Sequence, residues 1–261
     1  NTNSAQRING STAGAQLDHS PGGRDRLTLR HLYVYQQVDA FQLVAGQNPD
    51  TTTRSNQSRL TWNREWGPAT VTAVTLGFDR IGSLLVAEPN NIGPSFTIGG
   101  LQDLGPGQDI PTDRAENLFR QAAHLSRTQG AHSFSAGLEL LRRQFNGLQS
   151  NSHRGLVRFS ANFGRDAITN LRLGAPTQYS SSEGNTRRGF RSWSPVYYFG
   201  DTWRAGASAA ISIGVRYQPS PAPNEVHGRS RFPYGCDCNN LAPYFGLAYS
   251  PPGWRGTLRA G

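Results

Sequence analysis

Residues 208–217 read Ser-Ala-Ala-Ile-Ser-Ile-Gly-Val-Arg-Tyr. Ala209, Ile211, Ile213, Val215 and Tyr217 fall on one side, and Ser208, Ala210, Ser212, Gly214 and Arg216 on the other. Successive side chains of a strand point to opposite faces, so a period of two means a strand with one apolar and one polar face. The same alternation returns along the chain. Leu27, Leu29, Tyr33 and Tyr35 oppose Arg26, Thr28 and Arg30, and Leu60, Trp62 and Trp66 oppose Arg59, Thr61, Asn63 and Glu65. Val74, Leu76 and Phe78 oppose Thr75, Gly77 and Asp79. Phe134, Ala136, Leu138 and Leu140 oppose Ser135, Gly137, Glu139 and Arg143, and Val157, Phe159, Ala161 and Phe163 oppose Arg158, Ser160 and Asn162. The chain is all-β.

The polar faces carry Gly, Ser, Thr, Asn and Arg, which suits a polar lumen, and the segments run about ten residues, enough for a tilted strand to cross a bilayer. Trp66, Trp193, Trp203, Tyr217, Tyr244, Tyr249 and Trp254 stand near segment ends, where interfacial girdles are expected. Short links at 20–23, 67–69, 129–131, 205–207 and 251–253 alternate with longer polar ones near 41–56, 88–116, 147–155 and 219–240. Short periplasmic turns and long outer loops alternate in this way in outer-membrane barrels. The expected fold is a partial antiparallel transmembrane β-barrel of about twelve strands, a single domain over 1–261. Strand direction adds a detail: with 156–163 and 192–204 both running toward the periplasm, 175–183 should be an outward strand between them. A short helix or irregular turn over 166–173 should then lie on the periplasmic side, stopped by Gly174.

Composition narrows the classes. The 261 residues are 16% charged, with 30 glycines and 10% aromatics. The charged fraction is well below the roughly 25% of soluble domains, and so many aromatics exclude a disordered chain. No apolar run reaches the ~18 residues of a transmembrane helix. The formal charge is +9 and all 26 cations are Arg. They are spread without a run or a basic helix, which argues against nucleic acid and for a polar lumen or an anionic glycolipid surface. The chain contains no Met and opens Asn1-Thr2-Asn3, so it reads as a fragment or processed product.

Candidate chemistry is sparse. Cys236 and Cys238 are the only thiols, two short of a structural zinc site, and read as a loop pair, free or bridged. The six His, at 19, 31, 124, 132, 153 and 227, form no metal-binding spacing. No G-x-S-x-G nucleophile elbow is present. Asp79 and Glu139 on the polar face could be paired acids, but among so many Arg they read as lumen charges with Arg partners. Asn9-Gly10-Ser11 and Asn56-Gln57-Ser58 match glycosylation acceptors, which matter only in a eukaryotic secretory context. No enzyme, cofactor or metal site is expected, and ligand-binding residues stay unassigned.

Several motifs resemble those of TonB-dependent outer-membrane receptors, closest to the Oar-like branch. Gly200-Asp201-Thr202-Trp203-Arg204 followed by Gly214-Val215-Arg216-Tyr217 resembles that family's "DDWR … LGLRYE" hairpin. The run 239–249, Asn-Asn-Leu-Ala-Pro-Tyr-Phe-Gly-Leu-Ala-Tyr, with 257–261 is similar to its "NNFAPRFGFAYDP … LRAGYG". Gly130-Ala131-His132-Ser133-Phe134 with Gly137 is similar to "GKHSLKFGG", and 171–176 to "DFLLGLP". The likeness covers about 115–261, while 1–114 matches only by strand pattern. It implies the barrel portion of a transporter in the Gram-negative cell outer membrane. Membrane lipid and lipopolysaccharide are then its surroundings, and a TonB complex acts through a plug outside this sequence to drive uptake of an unnamed substrate. A passive porin or adhesive barrel shares the strand pattern, and a soluble secreted carbohydrate-binding β-protein is the other alternative.

Overall fold

The computed structural model describes residues 6–41, 48–87, 93–148, 151–253 and 255–261. Its strands are β1 (Arg7–His19), β2 (Asp25–Asp39), β3 (Asp50–Gly67), β4 (Thr70–Val86), β5 (Ser95–Ile98), β6 (Thr112–Gln129), β7 (His132–Leu148), β8 (Leu156–Phe159), β9 (Gln178–Ser180), β10 (Arg187–Ala205), β11 (Ala209–Tyr217), β12 (Asn224–Glu225), β13 (Leu241–Tyr249) and β14 (Leu258–Ala260). One short helix, α1, spans Ala167–Arg172.

Eleven strands form one antiparallel sheet, in the order β1-β2-β3-β4-β6-β7-β10-β11-β13-β14 with β12 beside β10. The sheet is open, with β1 and β14 at its edges. Register carries the dyad from strand to strand: Leu17 faces Leu29, Leu29 faces Leu60, and Leu60 faces Leu76. Leu138 likewise lies beside Tyr197, and Phe199 beside Val215. These apolar side chains form one face, and it is uncovered: Leu76 is 48% exposed and Ile213 52%. A soluble sheet would bury that face; a membrane wall leaves it for lipid.

From β1 to β10 the strands of the large sheet are longer than the ten residues expected, while β11 and β13 have nine each. β3 and β6 have 18 residues and β10 has 19. A strand of that length is about 60 Å long, and at a tilt of about 45° it covers roughly 40 Å of the membrane normal against an apolar band of about 25 Å. The surplus lies at the end away from the short turns. There the outward face turns polar: Phe78 gives way to Arg80, Phe119 to Asn117, and Leu140 to Arg142 and Gln144.

The expectations for 156–183 need correction. The link from β7 to β10 runs from 149 to 186, and β7 pairs β10 directly. Only Leu156–Phe159 is a strand, and it belongs to a separate three-stranded sheet, β5-β8-β9. Within 175–183, Gln178–Ser180 pairs with β8 and not with the wall. β5 and β8 are parallel, so the antiparallel rule holds for the large sheet alone. The helix forms where expected, with Gly174 (φ 61°) after it, but it belongs to a long link on the outer side. The dyad at 157–159 was real; it serves a small core instead of lipid. The link at 88–116 likewise ends early, since β6 begins at Thr112 and β5 lies inside it. Trp254 lies outside the described residues.

Candidate functional site

Two regions could meet a solute: the polar face of the large sheet and the folded outer links. On the polar face, three arginines are matched by carboxylates. Arg59 donates two hydrogen bonds to the Asp79 carboxylate, at 2.8 and 2.6 Å. Arg120 lies 2.6 Å from Glu139, and Arg143 lies 2.9 Å from Glu116. Asp79 and Glu139 thus sit in separate ion pairs, not as a pair of acids. These pairs are partly exposed, so each adds only about 0–1 kcal/mol. His124 Nδ1 shares a 2.7 Å hydrogen bond with the Tyr198 hydroxyl.

Glycines on this face are seats for tyrosine rings. A Cβ at Gly137 would overlap Tyr198, and one at Gly200 or Gly214 would overlap Tyr244. Tyr244 therefore lies on the polar face in mid-strand, not in an interfacial girdle as the sequence suggested. Tyr197, Tyr217 and Trp193 do fall on the outward face, and the Arg142 guanidinium sits 5.1 Å from the Trp193 ring.

The outer links build a unit of their own. Ile98 of β5, Phe159 of β8 and Ala167 of α1 are buried together, with Phe96, Val157 and Leu171 packed around them. Asn170 is fully buried and fully used: its amide donates to the Ser160 and Asn162 carbonyls, and its oxygen accepts from Arg165. Asp166 caps the helix by accepting from the Thr169 N–H at 2.6 Å, and that bond holds its carboxyl below the usual range. The two links are also tied by Ser152 donating to Gln108 at 2.8 Å and by Arg154 donating to the Ile110 carbonyl at 2.7 Å. Around this core Phe163, Leu173 and Tyr179 stand more than half exposed. Sequence reasoning missed the unit. Its signals were the glycines bracketing Ser95–Ile98 and an Asp N-cap too far from any wall strand.

The link at 218–240 is tied to β10 and β11. Cys236 and Cys238 are bridged, which resolves the free-or-bridged alternative. Glu225 is buried, and its carboxylate accepts from the N–H groups of Gly189, His227 and Arg229. Burial opposes its charge, but those three donors outweigh it, so its pKa lies below the ordinary 4.5. A depressed carboxylate stabilises the docked link above its unfolded value and is lost as pH falls through the folded one. The link should therefore stay docked at neutral pH and release only in acid below about 4.5. Glu225→Gln should speed amide exchange at Gly189, His227 and Arg229 about tenfold, read by hydrogen exchange at pH 7; unchanged protection would show that the carboxylate is not the anchor.

Among the described residues no group of three or more His, Cys, Asp or Glu could hold a metal ion.

Comparison with known proteins follows the same lines. The sequence model of the family described as "Outer membrane beta barrel domain" matches residues 1–234. Among solved structures, the chain is similar to the outer membrane transporter YddB from Escherichia coli, with TM-score 0.55 and 13% identity over 94% of this chain and 30% of that one. It is also similar to BauA, the ferric preacinetobactin receptor from Acinetobacter baumannii, with TM-score 0.56 and 11% identity over 94% of this chain and 38% of that one. The chain thus spans about a third of the length of these structures. No curated protein sequence matches it.

Proposed function

The chain belongs to the family of outer membrane β-barrel domains, and on that premise we propose that it is the barrel portion of an Oar-like TonB-dependent transporter. Its place is the Gram-negative outer membrane, with the long links outside the cell as in other such barrels. The observation that carries the reading is the folded outer unit of β5, β8, β9 and α1, built on the links between wall strands. A passive pore needs only the wall. A receptor also needs a preformed surface outside the cell, and loops on a rigid scaffold supply it.

In this reading the solute meets the outer unit and the 218–240 link first, then passes along the polar face when an energised TonB partner moves a plug. The wall's residues hold, orient and hydrate; they carry out no bond chemistry, and the chain is not an enzyme. Arg59, Arg120 and Arg143 are each matched by a carboxylate, so these three are not free anion sites on the wall.

The test uses the full-length protein in its native host. Cross-linking in living cells should yield a TonB adduct, and the purified protein should show little steady conductance in planar bilayers. No adduct together with a large constant conductance would identify a porin and reject the proposal. Topology is tested separately. Cysteines placed at 103 and at the exposed position 234 should react with an impermeant reagent on intact cells; labelling only after lysis would reverse the assignment of outer links.

A further inference from the structure

Three arginines of the outward face stand apart from the ion pairs of the wall. Arg54, Arg80 and Arg142 share the outward parity of Leu60, Leu76 and Leu140, and none has a carboxylate within ion-pair distance among the described residues. Arg54 lies 5.7 Å from the Tyr35 ring, and Arg80 donates one bond to Asn117 at 2.7 Å. Their height matters. Arg80 stands about ten residues up β4 from its short turn, and Arg142 about ten up β7. That is the number a tilted strand needs to cross the apolar band, about 9–11. The arginines therefore mark its outer boundary.

A groove opens at this level on the outward face. It has a volume of about 590 Å³ and is lined by Tyr33, Arg54, Arg80, Gly82, Leu84 and Ala115, among others. In register, Arg54 faces Gly82, Asn56 faces Arg80, and Gly82 faces Ala115. The two smallest side chains make the floor, and the two arginines flank it from adjacent strands. Asp113 also lines the groove, 4.0 Å from Arg187. One carboxylate, itself beside Arg187, against Arg54 and Arg80 leaves the groove cationic. Just below it, Phe78, Phe119 and Leu76 continue the apolar band.

We infer that this groove binds a phosphate group of the outer-leaflet glycolipid, with Arg54 and Arg80 as its ligands and the apolar band below receiving the acyl chains. A guanidinium fork fits a phosphate through two parallel N–H donors, and the pairing strengthens where water is partly excluded. Groove, charge and depth agree on one occupant: an anion fixed at the boundary of the hydrocarbon, carried on a lipid. The inference rests on family membership and strand orientation, not on transport, since a porin would present the same outer wall; a failed TonB cross-link leaves it standing.

Native mass spectrometry of the full-length protein in detergent tests it, with bis-phosphorylated lipid A, enzymatically dephosphorylated lipid A, phosphatidylglycerol and inorganic phosphate as probes. Wild type should bind the phosphorylated lipid at least about tenfold more tightly than the dephosphorylated one. The Arg54→Gln/Arg80→Gln double variant should lose about the same factor, while the inner-face variant Arg30→Gln binds as wild type. Heat-modifiable gel mobility confirms that each variant is folded, and the dephosphorylated probe needs no variant. Equal binding of both lipid A forms would overturn the inference. So would equal binding of phosphatidylglycerol, which marks a general anionic surface, or displacement by equimolar inorganic phosphate, which marks a free-anion site.

Discussion

Replacing Leu76 with Arg is expected to cost the barrel about 2–4 kcal/mol, the penalty for a cation on the lipid face near the bilayer midplane. Leu76 is the outward residue midway up the apolar stretch of β4, between Val74 and Phe78, and it is 48% exposed in the isolated wall. Its cross-strand neighbours are Leu60 and Gln121. An Arg there must either desolvate its guanidinium or thin the bilayer to reach water. One residue away, Thr75 points to the polar face beside Thr61 and Ala122. Thr75→Arg should be tolerated within about 1 kcal/mol, since the cation meets a hydrated wall. Urea unfolding of the full-length protein in lipid vesicles measures both. Equal losses from the two substitutions would mean that the faces are assigned wrongly.

The second large effect is local. Phe159→Ala should remove about 3–5 kcal/mol from the outer unit, the usual cost of truncating a buried Phe. Phe159 is 5% exposed and touches the unit's other two buried members, Ile98 and Ala167. So small a core has nothing with which to refill the hole. The wall should not notice: β8 makes no pair with it, and β7 joins β10 directly. Proteolysis of intact cells should then cut within 93–111 and 151–186 in the variant and spare them in wild type, at unchanged heat-modifiability. If the variant loses the barrel as well, the unit is not an independent layer.

The wall was legible because one periodicity decides it. Ile211, Ile213 and Val215 could alternate with Ser212 and Gly214 for one reason only, and the same row recurs from Leu17 to Phe245. The ion partners of Asp79 and Glu139 also followed from the sequence, because an acid on an Arg-rich face finds an Arg. Strand length was not legible. Above the band both faces are polar, so Thr51–Asn56 and Arg187–Ser192 lose the alternation while remaining strands. The outer unit failed for the opposite reason. Val157 and Phe159 keep the dyad of a membrane strand, and only the tertiary partner, β5 in place of β7, separates the two uses. Tyr244 was misplaced because its neighbours on the wall are two glycines from other strands, which no single segment reveals.

The parallel pairing of β5 with β8 has a mechanical consequence. β5 leaves the wall between β4 and β6, and β8 leaves it between β7 and β10, so their contact bridges the β6–β7 hairpin from one side to the other. Four neighbouring strands are laced together at the rim, beyond the reach of their own ladder. If the rim widens or splays during passage of a solute, this quarter moves as a stiff plate. Any hinge must then fall outside these four strands.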